Sequence, residues 1–259
     1  SNIRKNDFVP YIAIGAVVPV SRQSSEIVTI QPRDMKGIIS EGMLASKYEL
    51  LIGDDHSGIL VIQESDVIGK LVAGRSFAEA VGLDDFMIEI ENKTMTHRGD
   101  CFSTVGISRE VSAVLNLPFT TPKWLEPKPQ QIAEYAREFD ESFSSKIQLD
   151  VKAKNVVPRY SAIVLEDIVV KESPLWLQVI LLKHGIKPIN NVVDITNYIM
   201  IEWGQPMHAF DASKVLAESA VNRMVAVGHV RDDEHAIAEL QRRLDGVSEI
   251  GRASCRERV

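Results

Sequence analysis

The chain has 259 residues, 45% of them hydrophobic, and a formal net charge of −7, enough to build a buried core and about two domains. No apolar run is long enough to span a bilayer and no signal-peptide succession opens the chain, so the cytoplasm is the expected setting. Nothing like a basic tail or stripe is present, which excludes a general polyanion binder and makes any RNA contact local. Residues 1 to about 75 alternate in short apolar runs (Tyr11 to Ile14, Ile27 to Ile30, Ile59 to Ile62) separated by Pro, Gly and Asp, the rhythm of a small barrel and here of a partial OB-fold. Its first residue is Ser1, and Ile12, Ile14 and Val17 read as a sheet already under way, so the beginning is expected to be missing. Arg22, Arg33, Lys36 and Lys47 are the candidate phosphate contacts on this segment, although any one such residue is more often a solvated surface charge.

After Ser76 the pattern predicts a short helix over Phe77 to Val81, a strand over Phe86 to Ile90, and a helix over Ser103 to Leu115 with Ile107, Val111, Val114 and Leu115 on one face. Residues 76–121 thus form a small connecting α/β domain. The tripeptide Arg98-Gly99-Asp100 reads as a turn, with Asp100 or Ser103 capping the next helix. Asp54 to Gly58 lacks the alternating ligands and distal Glu of a calcium loop and reads as a polar turn. Prolines at 122, 127 and 129 stiffen an extended linker over 122–145. The last domain occupies 146–248. It opens with a strand over Tyr160 to Val170 and a helix with Ser173 as N-cap, Pro174 at its first position and Gly185 past its end. A second helix follows, capped by Asn191, with Asp194 placed to meet free backbone N–H groups. Val192, Ile195, Ile199 and Trp203 form its apolar stripe and Gly204 closes it. Thr196, Asn197 and His208 stand outside that stripe. Beyond Asp211 a helical pattern runs through Ile237, Leu240 and Leu244. Residues 249–259, EIGRASCRERV, back-translate in one frame into a sequencing-library adapter, so this stretch is expected to be read-through; without it the net charge is −8. Cys101 and Cys255 are the only cysteines and offer neither a disulfide framework nor a metal cluster.

The stretch NNVVDITNYIMIEWGQPMHAFD resembles the editing-domain signature of the beta subunit of bacterial phenylalanyl-tRNA synthetases. There the D-hydrophobic-TNY and GQP-hydrophobic-HAFD segments line one pocket. ISEGMLASKYELLIGDDHSGIL resembles the end of that subunit's OB-type tRNA-binding domain, and ENKTMTHRGDCFSTVGISREVSAVL is similar to its N-R-x-D and G-hydrophobic-x-R-E stretch, with His97 and Gly99 where the family usually has Asn and Pro. Three motifs in this order cover residues 8 to 211. The resemblance implies an α+β multidomain chain with a partial OB-fold barrel, a connecting domain and a partial editing domain whose remaining pocket residues come from sequence farther on. It also implies a subunit of an ATP- and Mg-dependent ligase that charges phenylalanine tRNA as a heterotetramer of two alpha and two beta subunits. The nucleotide site lies on another chain, so no cofactor is expected here and the chain by itself is not expected to aminoacylate.

The contribution expected here is tRNA binding and correction of tyrosine mischarged onto tRNA. A hydrophobic pocket built for phenylalanine rejects tyrosine only about a hundredfold, so a second site that hydrogen-bonds the phenol is useful. Thr196 and Asn197 would shape the amino-acid pocket and His208 would orient water or the RNA 3′ end. Read from the residues alone, Thr196 and Asn197 satisfy backbone groups at a helix bend and His208 is a hydrogen-bonded structural histidine. Two other readings use the same fold: a non-catalytic RNA-binding or assembly module, and a free-standing aminoacyl-tRNA deacylase.

Overall fold

The computed structural model describes residues 2–19, 26–121, 161–165, 168–211 and 224–228. It is mixed α/β, with small sheets and short helices. The chain divides into two compact units, Ser1–Met87 with Pro174–Lys187, and Ile88–Ser173 with Pro188–Val259. Neither unit is contiguous in sequence. Arg22, the linker over 122–145, the helical pattern over 237–244 and the terminal stretch 249–259 lie outside the described residues.

In the first unit, six short strands pair as three antiparallel ribbons. Strand β1 (Tyr11–Ala13) joins β6 (Gly42–Leu44), β2 (Val17–Pro19) joins β3 (Ile27–Thr29), and β4 (Arg33–Asp34) joins β5 (Ile39–Ser40). The β1–β6 register is Tyr11↔Leu44, Ile12↔Met43, Ala13↔Gly42, and just before β1 Phe8 makes a separate antiparallel bridge with Ile62. The stretch 59–62, predicted as a strand, forms that bridge instead, with the Leu60 N–H bonded to the Ala45 carbonyl and the Ile59 backbone both donating to and accepting from the Asn2 side chain. The predicted Asp54–Gly58 turn is a turn, in which Asp55 accepts the Ser57 N–H at 2.9 Å and His56 sits edge-on to Tyr48.

Helix α1 (Phe77–Val81) starts where its pattern predicts, with the Ser76 hydroxyl accepting from the Glu79 N–H. It packs with helix α3 (Leu175–Lys183). LWLQVILLK is apolar on nearly every side, so this helix can be stable only when surrounded. Leu177, Val179 and Leu181 are wholly buried, and Leu175 and Val179 join Ile52 and Val81 in one core cluster. Each such side chain contributes about 1.5–3 kcal/mol.

The cap of α3 corrects the sequence expectation. Pro174 is the N-cap rather than the first helical residue, and no side chain of its own stretch caps the helix. A carboxylate 109 residues upstream does so instead, Asp66 Oδ1 accepting the Leu175 N–H at 3.0 Å. At the other end Lys183 Nζ donates to Asp85 at 2.6 Å. An anion at the N-terminus and a cation in the last turn both complement the helix dipole. The Lys183 hydrogen bond holds the Asp85 carboxyl below its ordinary range.

In the second unit, helix α2 (Thr104–Val114) is capped by Ser103, one of the two caps the sequence offered, whose hydroxyl accepts from the Gly106 N–H. The expected apolar face is not the buried one: Val111, Val114 and Leu115 are exposed, whereas Gly106 is buried. The reason is close approach. A Cβ at residue 106 would sit 1.7 Å from the Asp100 carbonyl oxygen, so the side that packs is the one without a side chain. The predicted strand over Phe86 to Ile90 is also absent. Phe86, Met87 and Ile88 are strongly exposed and, among the described residues, no neighbouring strand offers a ladder.

Helix α4 (Asn191–Trp203) lies against α2 and against strand β8 (Met207–Asp211). Strand β9 (Met224–Gly228) runs between β8 and β7 (Ser161–Leu165), antiparallel to both. Strand β7 is shorter than the predicted Tyr160–Val170 because, from Val169 on, the backbone finds its partners on α4 instead of in a sheet.

Removing the remote cap should be measurable. Asp66→Ala is expected to lower the unfolding free energy by about 1 kcal/mol, the usual worth of an N-cap, read as a shift of the urea midpoint at unchanged slope.

Candidate functional site

The N-terminal end of α4 is held by polar side chains whose cap the sequence placed one residue off. Asn190, not Asn191, is the N-cap, its side chain accepting from the Val192 and Val193 N–H groups at 3.1 and 3.0 Å. That frees Asn191 for a different task. Buried at the start of the helix, its amide accepts the Lys171 N–H and donates to the Val169 carbonyl, both at 3.0 Å, while its own N–H donates to the Lys171 carbonyl. One side chain and one peptide group thus continue for the 169–171 backbone the pairing that a strand would have given it.

Asp194 is fully buried. Its Oδ1 accepts the Ile189 N–H at 2.8 Å and its Oδ2 accepts the Ser173 hydroxyl at 2.5 Å. The sequence expectation that Asp194 meets free backbone N–H groups therefore holds for one upstream N–H, and Ser173, expected as the cap of α3, is instead its second partner. The apolar stripe is as expected, with Val192, Ile195 and Ile199 buried. Gly204 closes the helix in the left-handed region at φ 75°. A Cβ there would come within 3.2 Å of the Gly99 carbonyl and 3.3 Å of Ser103, so glycine suits the close approach as well as the left-handed backbone.

The predicted site residues occupy three different settings. Thr196 is buried on α4 and donates its hydroxyl to the Val193 carbonyl at 2.7 Å, the back-bonding expected of threonine inside a helix. With that proton committed, its oxygen is left as an acceptor. Asn197 is half-buried one position on. His208 is exposed on β8, tilted toward Phe210 with ring centres 6.3 Å apart. Strand alternation puts His208 and Phe210 on the face opposite the buried Met207. The fold brings the three into one unit, on a helix and the strand directly after it; no hydrogen bond joins them. The cationic candidates belong to the other unit. Arg33 and Lys36 share the exposed β4–β5 hairpin, with Lys36 at φ 61°, and Lys47 is half-buried with its stem beside Gly53.

The sequence also left an ion triad unread. Arg98 donates Nε and Nη2 to the two oxygens of Asp100 at 3.0 and 2.7 Å, and Nη1 to Glu110 of α2 at 3.0 Å. It ties the Arg98-x-Asp100 turn to the Gly106-x-x-Arg109-Glu110 helix, and Thr104 on that helix donates to the Ile201 carbonyl near the end of α4. Opposite charges twelve residues apart were the available signal. The Arg98 guanidinium holds the Asp100 carboxyl below its ordinary range.

A family model described as the B3/4 domain matches residues 156–241. The phenylalanine–tRNA ligase beta subunit of Desulfotalea psychrophila is 35% identical over 223 residues, 86% of this chain and 24% of the relative. That of Clostridium acetobutylicum is 34% identical over 85% of this chain and 25% of the relative, and that of Clostridium tetani 33% identical over 95% and 28%. Over most of its length the chain is similar to a segment of phenylalanine–tRNA ligase beta subunits. It spans about a quarter of the length of the curated relatives it matches. Within this segment, the B3/4 match covers α4 and β8, the elements that carry Thr196, Asn197 and His208.

Two outcomes test this geometry. Asn191→Ala removes two part-buried hydrogen bonds to the 169–171 backbone and should cost about 1–3 kcal/mol, at about 0.5–1.5 kcal/mol per bond, measured by chemical denaturation. For Asp100 the folded carboxyl titrates below the unfolded one, so its stabilising contribution is complete above the ordinary aspartate value of about 3.9 and is lost as pH falls through the lower, folded value. An NMR titration should find Asp100 below that value in the native chain and returned to it in Arg98→Gln.

Proposed function

We propose that the chain works within a phenylalanine–tRNA ligase beta subunit, where α4 and β8 contribute hydrolytic editing of tyrosine mischarged onto phenylalanine tRNA. The observation that carries this reading is the succession of α4, the Gly204–Pro206 turn and β8 in one unit, bearing Thr196, Asn197 and His208 within a segment similar to ligase beta subunits. The ribbons of the first unit belong, in the same proposal, to an OB-type tRNA-binding domain, with Arg33, Lys36 and Lys47 as phosphate contacts. The whole enzyme would be a cytoplasmic heterotetramer with the alpha subunit, charging tRNA with ATP and Mg²⁺. Among the described residues no three His, Cys, Asp or Glu side chains are grouped to hold a metal ion.

The chemistry asked of this site is modest. Ester hydrolysis needs an oriented water and donors aimed at the developing oxyanion. Thr196, whose own proton is held by the Val193 carbonyl, accepts the phenol O–H of tyrosine; phenylalanine offers that oxygen nothing, and the missing bond makes the second sieve selective. Asn197 supplies both a donor and an acceptor, and His208, on the exposed face of β8, orients the water or the terminal ribose.

In the assembled ligase, His208→Ala is expected to slow hydrolysis of tyrosyl-tRNA by about tenfold or more, as loss of an orienting group does, with phenylalanine charging unchanged. Unchanged hydrolysis removes His208 from the site.

A further inference from the structure

We infer that Asp194, with Ser173, is a positioning residue for the editing site, fixing the rotation of α4 and so the directions in which Thr196 and Asn197 point; this role rests on the editing reading above. The carboxylate is wholly buried, and both its oxygens are committed to fixed groups, the Ile189 N–H and the Ser173 hydroxyl, itself buried. Asn191 grips the 169–171 backbone through both ends of its amide. A helix held by one such contact can still turn about its axis. Residues 191 and 194 lie on nearly one face of the helix, about 60° apart, and grip different groups, so any turn about the axis carries both side chains off their partners. Thr196 and Asn197 follow within one turn of Asp194, so their bearings are set by the same clamp.

A buried carboxylate is an expensive choice for a purely packing role, because its charge must be compensated by donors in fixed geometry. The same geometry makes it a precise one, and misplacement of about 1 Å at a reacting centre costs on the order of a hundredfold in rate.

The test is made in the assembled ligase with Asp194→Ala, Asp194→Asn and Ser173→Ala, measuring single-turnover hydrolysis of tyrosyl-tRNA, its KM, and phenylalanine charging. Asparagine keeps the shape and both hydrogen bonds once the Ser173 hydroxyl turns to accept. The expected result is a hydrolysis rate constant lowered about tenfold or more by Asp194→Ala, less by Ser173→Ala, and largely restored by Asp194→Asn, with KM and charging unchanged. Full hydrolysis by Asp194→Ala, equal losses of hydrolysis and charging, or failure of Asp194→Asn to restore the rate overturns the inference. A wild-type ligase that leaves tyrosyl-tRNA intact overturns the editing reading itself, and this role with it.

Discussion

The clamp on the first turns of α4 is the constraint on which the second unit depends. A fully buried carboxylate and a buried asparagine amide hold the helix to residues 169–173 and to Ile189. Because the Asp194 carboxylate, the Ser173 hydroxyl and the Asn191 amide are buried, loss of a partner leaves such a group unpaired at a cost of about 1–3 kcal/mol. The far end of the helix is fixed differently, by Gly204 against the Gly99 carbonyl and by Thr104 on the Ile201 carbonyl. Between these two ends lie Thr196 and Asn197, and directly after them the chain turns into β8.

Much of this was legible in the sequence. The spans of α1, α2 and α4, the Ser103 cap and the glycine close of α4 follow from side chains within a few residues of the backbone groups they serve, and local chemistry of that kind repeats from protein to protein. Several of the errors concern partners far away in sequence. Ser173 and Pro174 look like the start of a helix, and so they are, but the cap comes from Asp66 and the serine hydroxyl goes to Asp194. Of two adjacent asparagines, the first caps and the second bridges; the residue types alone do not distinguish them. The apolar face of α2 was read from periodicity, yet the contact is made by the one position with no side chain. A strand over Phe86 to Ile90 has strand-like composition and no described neighbour to pair with, and composition cannot supply one.

For the site, the sequence identified chemistry and the fold supplied bearings. Thr196 performs the backbone task that a bare reading gave it, donating to Val193, and that bond is what leaves its oxygen as a pure acceptor toward a ligand hydroxyl. The structural role and the proposed selective role are therefore compatible. His208 differs: expected from the bare residues to be a hydrogen-bonded structural histidine, it stands exposed on the strand face opposite Met207, where a substrate or a water can reach it. Both residues lie within the segment matched by the B3/4 family model and similar to ligase beta subunits, and under the proposed editing role the discrimination of tyrosine from phenylalanine is the reason for a polar second pocket.

The most direct measurement is a crystal structure of the beta subunit, assembled with its alpha partner, bound to a non-hydrolysable 3′-tyrosylamino-adenosine. The account predicts the phenol oxygen within hydrogen-bonding distance of Thr196 Oγ1 or the Asn197 amide, with the ribose or a bound water on His208. Density for the ligand elsewhere, or the three side chains turned toward separate regions around an empty α4–β8 junction, would contradict it.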